Sequence, residues 1–460
     1  MGDSDLTRRE LFATIGPGPP KAKTRSNPEN DYDVIVIGGG FAGATAARDL
    51  GQSGLRVLLL EARNRLGGRT FTSRFADHRV EFGGTWIHWM QPNVWAEVTR
   101  YGLEVTESPA SDFERFTIVR KDGTREEADP DRANELFNQG VDRFAHDARE
   151  YFPRPYDPLF VKSAEKLDRK SVEDRLNEIE ITDRQRDMIS GLLAVLVGAD
   201  PSEASLTMLL RQYAAGGWTA GGWFDTLGRY KLVAGTAALI QALVDDSGAE
   251  VRLATPVKAV TRGARQVVVT TEDGEQVSAT TCVVTVPVNT YDLITFDPGL
   301  SPVRAEIAKM GQVARPTKVY VKLRENIGRF AGSGDPSLPL SWLVTEYDDD
   351  DGTVVVCFGS RRELLDVNDG DAVRAAVHTF LPDVQIQAAA GYDWYADPYA
   401  RSAWPGFRPG ELTQHYRDLS HSEQNVFFAG TLSATGWACF IDGAVESGVR
   451  AARDVVRYLA

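Results

Sequence analysis

Three glycines near the start of the chain have the spacing of a phosphate-binding turn. Gly38, Gly40 and Gly43 form the pattern GxGxxG, directly after the β-branched run Tyr32–Ile37 and before a helix-forming stretch, 44–53. The first glycine allows a tight bend, the second lets the backbone approach a pyrophosphate, and the third lets helix and strand pack closely. The helix N-terminus adds free N–H groups and a positive dipole end. The pattern therefore predicts a dinucleotide site.

An acidic residue follows at the distance that such a site requires. A second apolar run, 56–60, ends at Glu61, which lies 18 residues after Gly43, close to the roughly 20 of the dinucleotide fingerprint. A carboxylate there accepts hydrogen bonds from the ribose hydroxyls and disfavours a 2′-phosphate, so NADP is not expected. Phe41 and Ala42, inside the glycine turn, are also placed beside the phosphates.

The next residues decide between nicotinamide and flavin, because NAD and FAD share this fingerprint. Gly67 and Gly68 let the backbone approach a ligand, and the side chain of Arg69 can pair with a diphosphate. Together with the run Glu-Phe-Gly-Gly-Thr-Trp-Ile-His at 81–88, the segment 61–70 resembles the flavin-containing amine oxidase family. Residues 427–448 look like the segment with which that family caps the flavin.

The resemblance extends from about residue 30 to the C-terminus and is weak through 110–225. It implies an α/β fold: a Rossmann-like FAD-binding domain of the p-hydroxybenzoate-hydroxylase-like (GR2) topology, with an interleaved α+β substrate domain. FAD-binding segments are expected at 31–110, 228–290 and 405–460, and substrate-binding segments at 111–227 and 291–404. Residues 1–30 are predicted to form a flexible tail. The twin-arginine pattern at 7–12 precedes a short, broken apolar stretch, so a degenerate export signal is the alternative.

The resemblance also implies how the cofactor is held. Ala403 stands where animal monoamine oxidases have the cysteine that bonds the flavin, so FAD is expected to be non-covalent. A helix N-terminus near Ala444 is expected to face the pyrimidine end of the ring. Beyond the glycine turn and Glu61, the FAD-binding residues implied are Ala62, Arg63, Gly67, Gly68, Arg69, Gly84, Thr85, Trp86, Val257, Gly430, Thr431, Ala438, Phe440, Ile441 and Ala444.

Three residues are implied for catalysis. Lys318 lies in an alternating strand pattern and resembles the family lysine that holds a water at flavin N5. Taken without the family, an exposed strand lysine is the favoured interpretation. Trp404 and Phe440 are implied as the aromatic pair that flanks the amine in front of the flavin. The family often has tyrosine at these two positions, so the hydroxyl groups are missing here.

The implied activity is that of an FAD-dependent amine oxidase. A neutral amine passes a hydride equivalent to flavin N5, the imine hydrolyses to an aldehyde or ketone, and O2 reoxidises the flavin to give H2O2. The alternative is an L-amino-acid oxidase, or another flavin oxidase or desaturase of the same fold. An amino-acid oxidase needs an arginine for the carboxylate, for which Arg74, Arg211 and Arg401 are candidates. A non-enzymatic binding protein of this fold is disfavoured because the glycines and Lys318 remain.

Composition limits the other partners and the location. The formal charge of −14 argues against nucleic acid, and no apolar run approaches the ~18 residues of a membrane helix. Six scattered histidines and three unpaired cysteines predict neither a metal site nor disulfides, so a cytoplasmic location is expected. The expected partners are a small-molecule amine and O2, with a homodimer left open. The acidic run 346–351 is predicted to be a solvated turn between strands.

Overall fold

The computed structural model describes residues 30–109 and 112–460 of the chain. The predicted tail, apart from Asn30, and the twin-arginine pattern lie outside these residues. The strands are β1 Tyr32–Ile37, β2 Val57–Leu60, β3 Thr72–Phe75, β4 His78–Glu81, β5 Val105–Glu107, β6 Arg115–Val119, β7 Arg125–Ala128, β8 Tyr230–Leu232, β9 Glu250–Arg252, β10 Val257–Arg262, β11 Val267–Thr271, β12 Gln276–Val284, β13 Thr295–Asp297, β14 Thr317–Leu323, β15 Phe330–Gly334, β16 Trp342–Asp349, β17 Gly352–Gly359, β18 Ile386–Gly391 and β19 Val426–Phe428.

The α-helices alternate with these strands along most of the chain. They are α1 Phe41–Gln52, α2 Pro92–Arg100, α3 Pro130–Phe144, α4 Ala148–Tyr151, α5 Ala164–Asp168, α6 Val172–Glu178, α7 Asp183–Val197, α8 Leu206–Ala215, α9 Ala220–Gly228, α10 Thr236–Asp245, α11 Pro302–Met310, α12 Gly370–Phe380, α13 Glu411–His415 and α14 Ile441–Leu459.

The first large sheet carries the glycine turn at the carboxyl end of β1. Its order is β13-β10-β11-β12-β1-β2-β9, and β19 pairs with the C-terminal half of β12. The pairs β12–β1, β1–β2 and β2–β9 are parallel, as expected for β-branched runs that are buried on both faces. Helices α1, α10 and α14 share a hydrophobic core with this sheet, which fixes where α1 and α14 begin.

The second large sheet carries Lys318 and is largely antiparallel. Its order is β18-β14-β17-β16-β15-β6-β7, with only the β15–β6 pair parallel. Helices α3, α7, α8 and α9 share one hydrophobic core with this sheet, and α12 contributes to another. Side chains alternate along β14, so Lys318 and Tyr320 point to the same face.

Two details differ from the sequence expectations. Strand β13 joins the first sheet although it lies beyond the expected segment boundary at 290; the division into interleaved domains otherwise stays a prediction. The acidic run 346–351 is mostly strand, and only Asp350 and Asp351 form the turn between β16 and β17. Its first residue, Glu346, is 1% exposed, because its carboxylate pairs with a buried lysine.

Candidate active site

A large cavity is lined by residues of the first sheet, the second sheet and the helices that cover them. The predicted residues Gly43 and Ala438 do not line it. The predicted residues that do are Gly38, Gly40, Phe41, Ala42, Glu61, Ala62, Arg63, Gly67, Gly68, Arg69, Gly84, Thr85, Trp86, Val257, Lys318, Trp404, Gly430, Thr431, Phe440, Ile441 and Ala444. Residues from chain positions 38 to 444 therefore meet around one space.

The glycine turn has the geometry that its spacing predicts. Gly38 has a φ of 108°, a region that side chains other than glycine rarely adopt. A Cβ on Gly43 would lie 1.9 Å from the carbonyl oxygen of Gly38, so Gly43 permits α1 to pack against the turn although it does not face the cavity. A second glycine loop meets the first, since a Cβ on Gly68 would lie 3.2 Å from the Cα of Gly40.

The Glu61 carboxylate is buried between these loops and also lines the cavity. It accepts hydrogen bonds from the backbone N–H groups of Gly39, at 2.6 Å, and Arg63, at 2.9 Å. These hydrogen bonds hold the glycine turn in place. The remaining lone pairs of the carboxylate can accept a hydrogen bond from a ribose hydroxyl. The guanidinium of Arg63 is occupied differently, because it binds the Asp397 carboxylate at 2.6 Å. Arg63 therefore contributes less free charge to the cavity than its position in the sequence implies.

Arg69 is the cavity arginine that lacks an acidic partner in the described part of the chain. Its guanidinium donates to the backbone carbonyl of Ala403 at 3.0 Å, and burial lowers its pKa to about 10. Arg69 is partly buried, and a desolvated cation without a counter-charge is costly. The residue therefore fits a site for an anionic group such as a diphosphate.

Two helices begin at the cavity wall without a side-chain cap. Helix α1 follows Gly40, and α14 follows Phe440. The hydroxyl of Thr431 donates to the Phe440 carbonyl at 2.7 Å and fixes the entry to α14. The uncapped N–H groups of both helices can interact with anionic or electron-rich parts of a bound cofactor.

The Asp442 carboxylate, in the first turn of α14, is directed toward α2 instead. It accepts the backbone N–H of Val94 at 2.8 Å and the side-chain amide of Asn93 at 2.9 Å. Burial raises the pKa of Asp442 to about 6. This contact joins the N-terminus of α14 to that of α2.

Lys318 is 4% exposed, not a surface strand lysine. Its ammonium donates to the carbonyls of Glu81, at 2.7 Å, and Gly83, at 3.1 Å, and to the hydroxyl of Thr85 at 2.7 Å. Burial lowers its pKa to about 8, while Glu346 and Glu81 act in the opposite direction. Through these three hydrogen bonds the lysine holds the 81–85 segment in position, and part of this segment lines the cavity.

The end of the cavity around Trp404 is apolar and aromatic. Helices α7 and α9 and strands β16 and β17 supply residues there that the sequence analysis did not identify: Leu192, Val195, Leu196, Phe224, Leu227, Trp342, Val344 and Phe358. Phe358 packs edge-on against Trp404, with ring centroids 6.5 Å apart. These residues come from segments without a local motif, and apolar periodicity alone marks them as ordinary core.

The three arginines considered for an amino-acid carboxylate lie outside the cavity lining. Arg211 donates to the backbone carbonyl of Thr435 at 3.1 Å. Arg401 pairs with Asp292 at 2.8 Å, and Arg74 donates to the carbonyl of Asp77. The structure therefore gives no support to the amino-acid oxidase alternative.

Comparison with known proteins defines the class. The family model of flavin containing amine oxidoreductases matches residues 41–456, and the chain belongs to this family. It is 44% identical to a nicotine dehydrogenase of Pseudomonas putida, over 94% of this chain and 89% of that protein. It is 38% identical to a pseudooxynicotine dehydrogenase of a Pseudomonas species, over 93% and 87%. It is 28% identical to the (S)-6-hydroxynicotine oxidase of Paenarthrobacter nicotinovorans, over 90% and 97%.

Solved structures of flavin amine oxidases have the same fold. Wild-type putrescine oxidase bound to putrescine has a TM-score of 0.80 at 20% identity, covering 93% of this chain and 99% of that one. The expected family, the fold class and the assignment as a flavin-dependent amine oxidoreductase are confirmed. The uncapped helices, the glycine loops and the unpaired Arg69 fit a flavin that carries a diphosphate. No helix among the described residues is long and apolar enough to cross a membrane.

Proposed function

We propose that the protein is an FAD-dependent oxidoreductase that acts on compact monoamines bearing an aromatic ring, in the manner of nicotine and related alkaloids. The observation that carries this proposal is the cavity end around Trp404, which is walled largely by aliphatic and aromatic side chains, while the amide of Gln212 is a neutral polar group of the cavity lining. No carboxylate lines that end in the described part of the chain, so a second ammonium group, as in a diamine, would be unpaired there. The 44% identity to a nicotine dehydrogenase supports the same substrate class.

The side chains at the aromatic end of the cavity are proposed to have different roles. The flavin, when bound, supplies the acceptor for the hydride equivalent leaving the α-carbon of the amine. Trp404 and Phe440 are proposed to orient the amine between their rings. The apolar walls exclude water and favour the neutral amine over its ammonium form. Lys318 is proposed to place its positive charge near the reacting end of the flavin.

The cofactor is proposed to be FAD without a covalent bond to the protein. Ala403 lines the cavity and has no nucleophile. Cys439 also lines the cavity, but burial raises the pKa of its thiol to about 12, despite the opposing effect of Arg211 and Arg69. A thiol is a weak nucleophile compared with its thiolate. Acid-denatured enzyme should therefore release its yellow colour into the supernatant, whereas colour in the protein pellet would contradict the proposal.

The electron acceptor is proposed to be O2, giving H2O2, with hydrolysis of the imine to a ketone or aldehyde. A dehydrogenase that passes electrons to another acceptor is the second candidate, because two of the relatives are named dehydrogenases and one is named an oxidase. Reoxidation of the reduced enzyme by air and by a redox dye, compared at equal concentration, distinguishes the two. Little peroxide with fast dye reduction would favour the dehydrogenase.

A substrate panel tests the proposed function. Yellow holoenzyme is mixed without oxygen with nicotine, pseudooxynicotine, benzylamine, putrescine and alanine, and bleaching of the flavin is followed by stopped flow. We expect the ring-bearing monoamines to reduce the flavin at least ten times faster than putrescine or alanine. Faster reduction by the diamine or the amino acid would overturn the proposal.

A further inference from the structure

Four ionisable side chains form a buried cluster beside the cavity. Two are lysines, Lys318 (4% exposed) and Lys231 (8%), and two are glutamates, Glu81 (6%) and Glu346 (1%). Burying a charge is costly unless an opposite charge accompanies it. The cluster contains two side chains that can carry a positive charge and two that can carry a negative charge, so each glutamate can compensate the charge of one lysine.

Lys231 and Glu346 balance one another directly. The Lys231 ammonium lies 2.8 Å from a carboxylate oxygen of Glu346 and 4.0 Å from the ring centre of Tyr347. The pair is neutral in sum, although Glu346 acts on the pKa of Lys318 more strongly than Lys231 does. Although Glu346 raises the pKa of Lys318, Lys231 lowers it. Glu346 thus serves two lysines, and one further negative charge is needed for the cluster to be neutral.

Of the two glutamates in the cluster, Glu81 is the one whose carboxylate has no salt bridge to a described lysine or arginine. Its carboxylate accepts the hydroxyl of Thr72 at 2.7 Å, and the backbone N–H and hydroxyl of Thr236 at 2.7 and 2.8 Å. Thr236 is the first residue of α10, so the carboxylate also lies at the positive end of that helix. All of these partners are neutral, and none removes the negative charge.

The backbone of the same residue holds the lysine. The carbonyl of Glu81 accepts the Lys318 ammonium at 2.7 Å and the hydroxyl of Tyr320 at 2.9 Å. The rings of Trp86, Tyr320 and Phe358 surround the ammonium at 5.0 to 5.7 Å. Glu81 is thus anchored to α10 through its side chain and to Lys318 through its main chain.

We propose that Glu81 is a positioning residue for Lys318, and that its carboxylate is the second counter-charge, in addition to Glu346, that keeps the lysine protonated beside the flavin. The role in catalysis rests on the proposed function, whereas the charge pairing does not. The charged groups that face Lys318 are Glu346, Glu81 and Lys231, with Tyr320 as a further titratable neighbour. Burial lowers the pKa of Lys318 to about 8 and raises that of Glu81, and the opposite charge of each residue acts against this effect on the other.

Glu81→Gln tests the pairing, because glutamine keeps the size and an acceptor for Thr72 and Thr236 but removes the charge. The protein is labelled with ε-13C-lysine, and the Lys318 resonance is assigned by its loss in Lys318→Met. In the unsubstituted protein the resonance should titrate near pH 8. In Glu81→Gln we expect the midpoint to fall by about one pH unit, so that the protonated fraction at pH 8 drops from about one half to about one tenth.

Glu97→Gln is the matched control. Glu97 is buried to the same extent, at 4% exposed, but its carboxylate binds Arg48 at 2.6 Å. Its substitution also removes a buried negative charge, yet the Lys318 midpoint should not move. An unchanged midpoint in Glu81→Gln, or an equal shift in Glu97→Gln, would overturn the proposal.

A second measurement covers the case in which Glu81→Gln folds poorly. Unfolding is compared for Glu81→Gln, Lys318→Met and the double variant. If the two charges balance each other, each single variant leaves a lone buried charge, and the double variant should melt at a higher temperature than either. Strictly additive losses would contradict the pairing. The pH profile of flavin reoxidation should move with the NMR midpoint. If it does not, the catalytic role fails while the pairing stands.

Discussion

The two ends of the cavity are built from different parts of the polypeptide. The dinucleotide end is made mainly of backbone from the loop after β1 and from the 61–70 segment, where glycines allow close approach. The aromatic end is made of side chains from α7, α9, β16, β17 and the C-terminal segment. The first is specified by local spacing, and the second exists only once distant elements have packed.

The two ends therefore differ in the substitutions that they tolerate. A backbone site has no side chain to adjust, so an added atom collides with main chain that cannot move without unfolding the turn. A side-chain site can lose or gain volume while the sheet behind it persists. We expect substitutions at the dinucleotide end to abolish folding or flavin binding, and substitutions at the aromatic end to change the substrate while flavin stays bound.

The largest effect is expected for Gly43→Ala. A Cβ at this position would lie 1.9 Å from the carbonyl oxygen of Gly38 and 2.8 Å from the hydroxyl of Thr285. Relief of this clash requires α1 to move away from the turn. We expect at least a tenfold loss of flavin per purified chain, measured by the absorbance ratio of flavin to protein, or loss of soluble protein.

Gly221→Ala is the control for this substitution. Gly221 lies in α9, and a Cβ there would meet nothing within 4 Å. The variant should keep full flavin content and equal or higher stability, since alanine favours helix. Full flavin content in Gly43→Ala would show that the glycine turn can adjust to an added methyl group. The dinucleotide end would then tolerate substitution, contrary to the proposed difference between the two ends.

An intermediate effect is expected for Trp404→Ala at the aromatic end. Removal of the indole takes away one wall of the proposed amine site and admits water. We expect kcat/KM for ring-bearing monoamines to fall about 10- to 100-fold, in line with the loss of a buried aromatic contact. Flavin content should remain within a factor of two of the unsubstituted enzyme.

Trp89→Ala is the matched control, because this tryptophan is 56% exposed and lies outside the cavity lining. It should leave both kcat/KM and flavin content unchanged. A loss of flavin from Trp404→Ala as large as the loss of activity would mean that the aromatic end also holds the cofactor, and the two ends could not be separated as proposed.

The same contrast explains how far the sequence could predict the structure. The glycine turn, Glu61 and Arg69 follow from spacing within 32 consecutive residues, and all of them except Gly43 line the cavity. Leu192 and Phe224 could not be found in this way, because helical periodicity marks an inward face without telling whether it meets core or cavity. Glu346 was predicted to be exposed, but its partner Lys231 lies 115 residues earlier in the chain. No local pattern can reveal such a pair.

The smallest effect is expected where the two ends meet, at the first turn of α14. Burial raises the pKa of Asp442 to about 6, from 3.8. A raised carboxyl pKa means that this group favours the folded state below pH 3.8, and that this contribution is lost as pH rises through 6. The full penalty is at most about 3 kcal/mol.

Asp442→Asn removes this ionisation and can still accept the N–H of Val94. Because the amide makes weaker hydrogen bonds than the carboxylate, we expect only about 1 kcal/mol of stability to be recovered, or about 2 °C in Tm at pH 8. The gain should shrink at pH 5, where the penalty is only partly developed. Asp454→Asn, in the last turns of the same helix and more exposed, is the control and should leave Tm at pH 8 unchanged, because an exposed ion pair contributes little to stability. If Asp442→Asn is destabilising at pH 8, the carboxylate is stabilised by its contacts with α2. The junction between the two ends would then be as intolerant of substitution as the glycine turn.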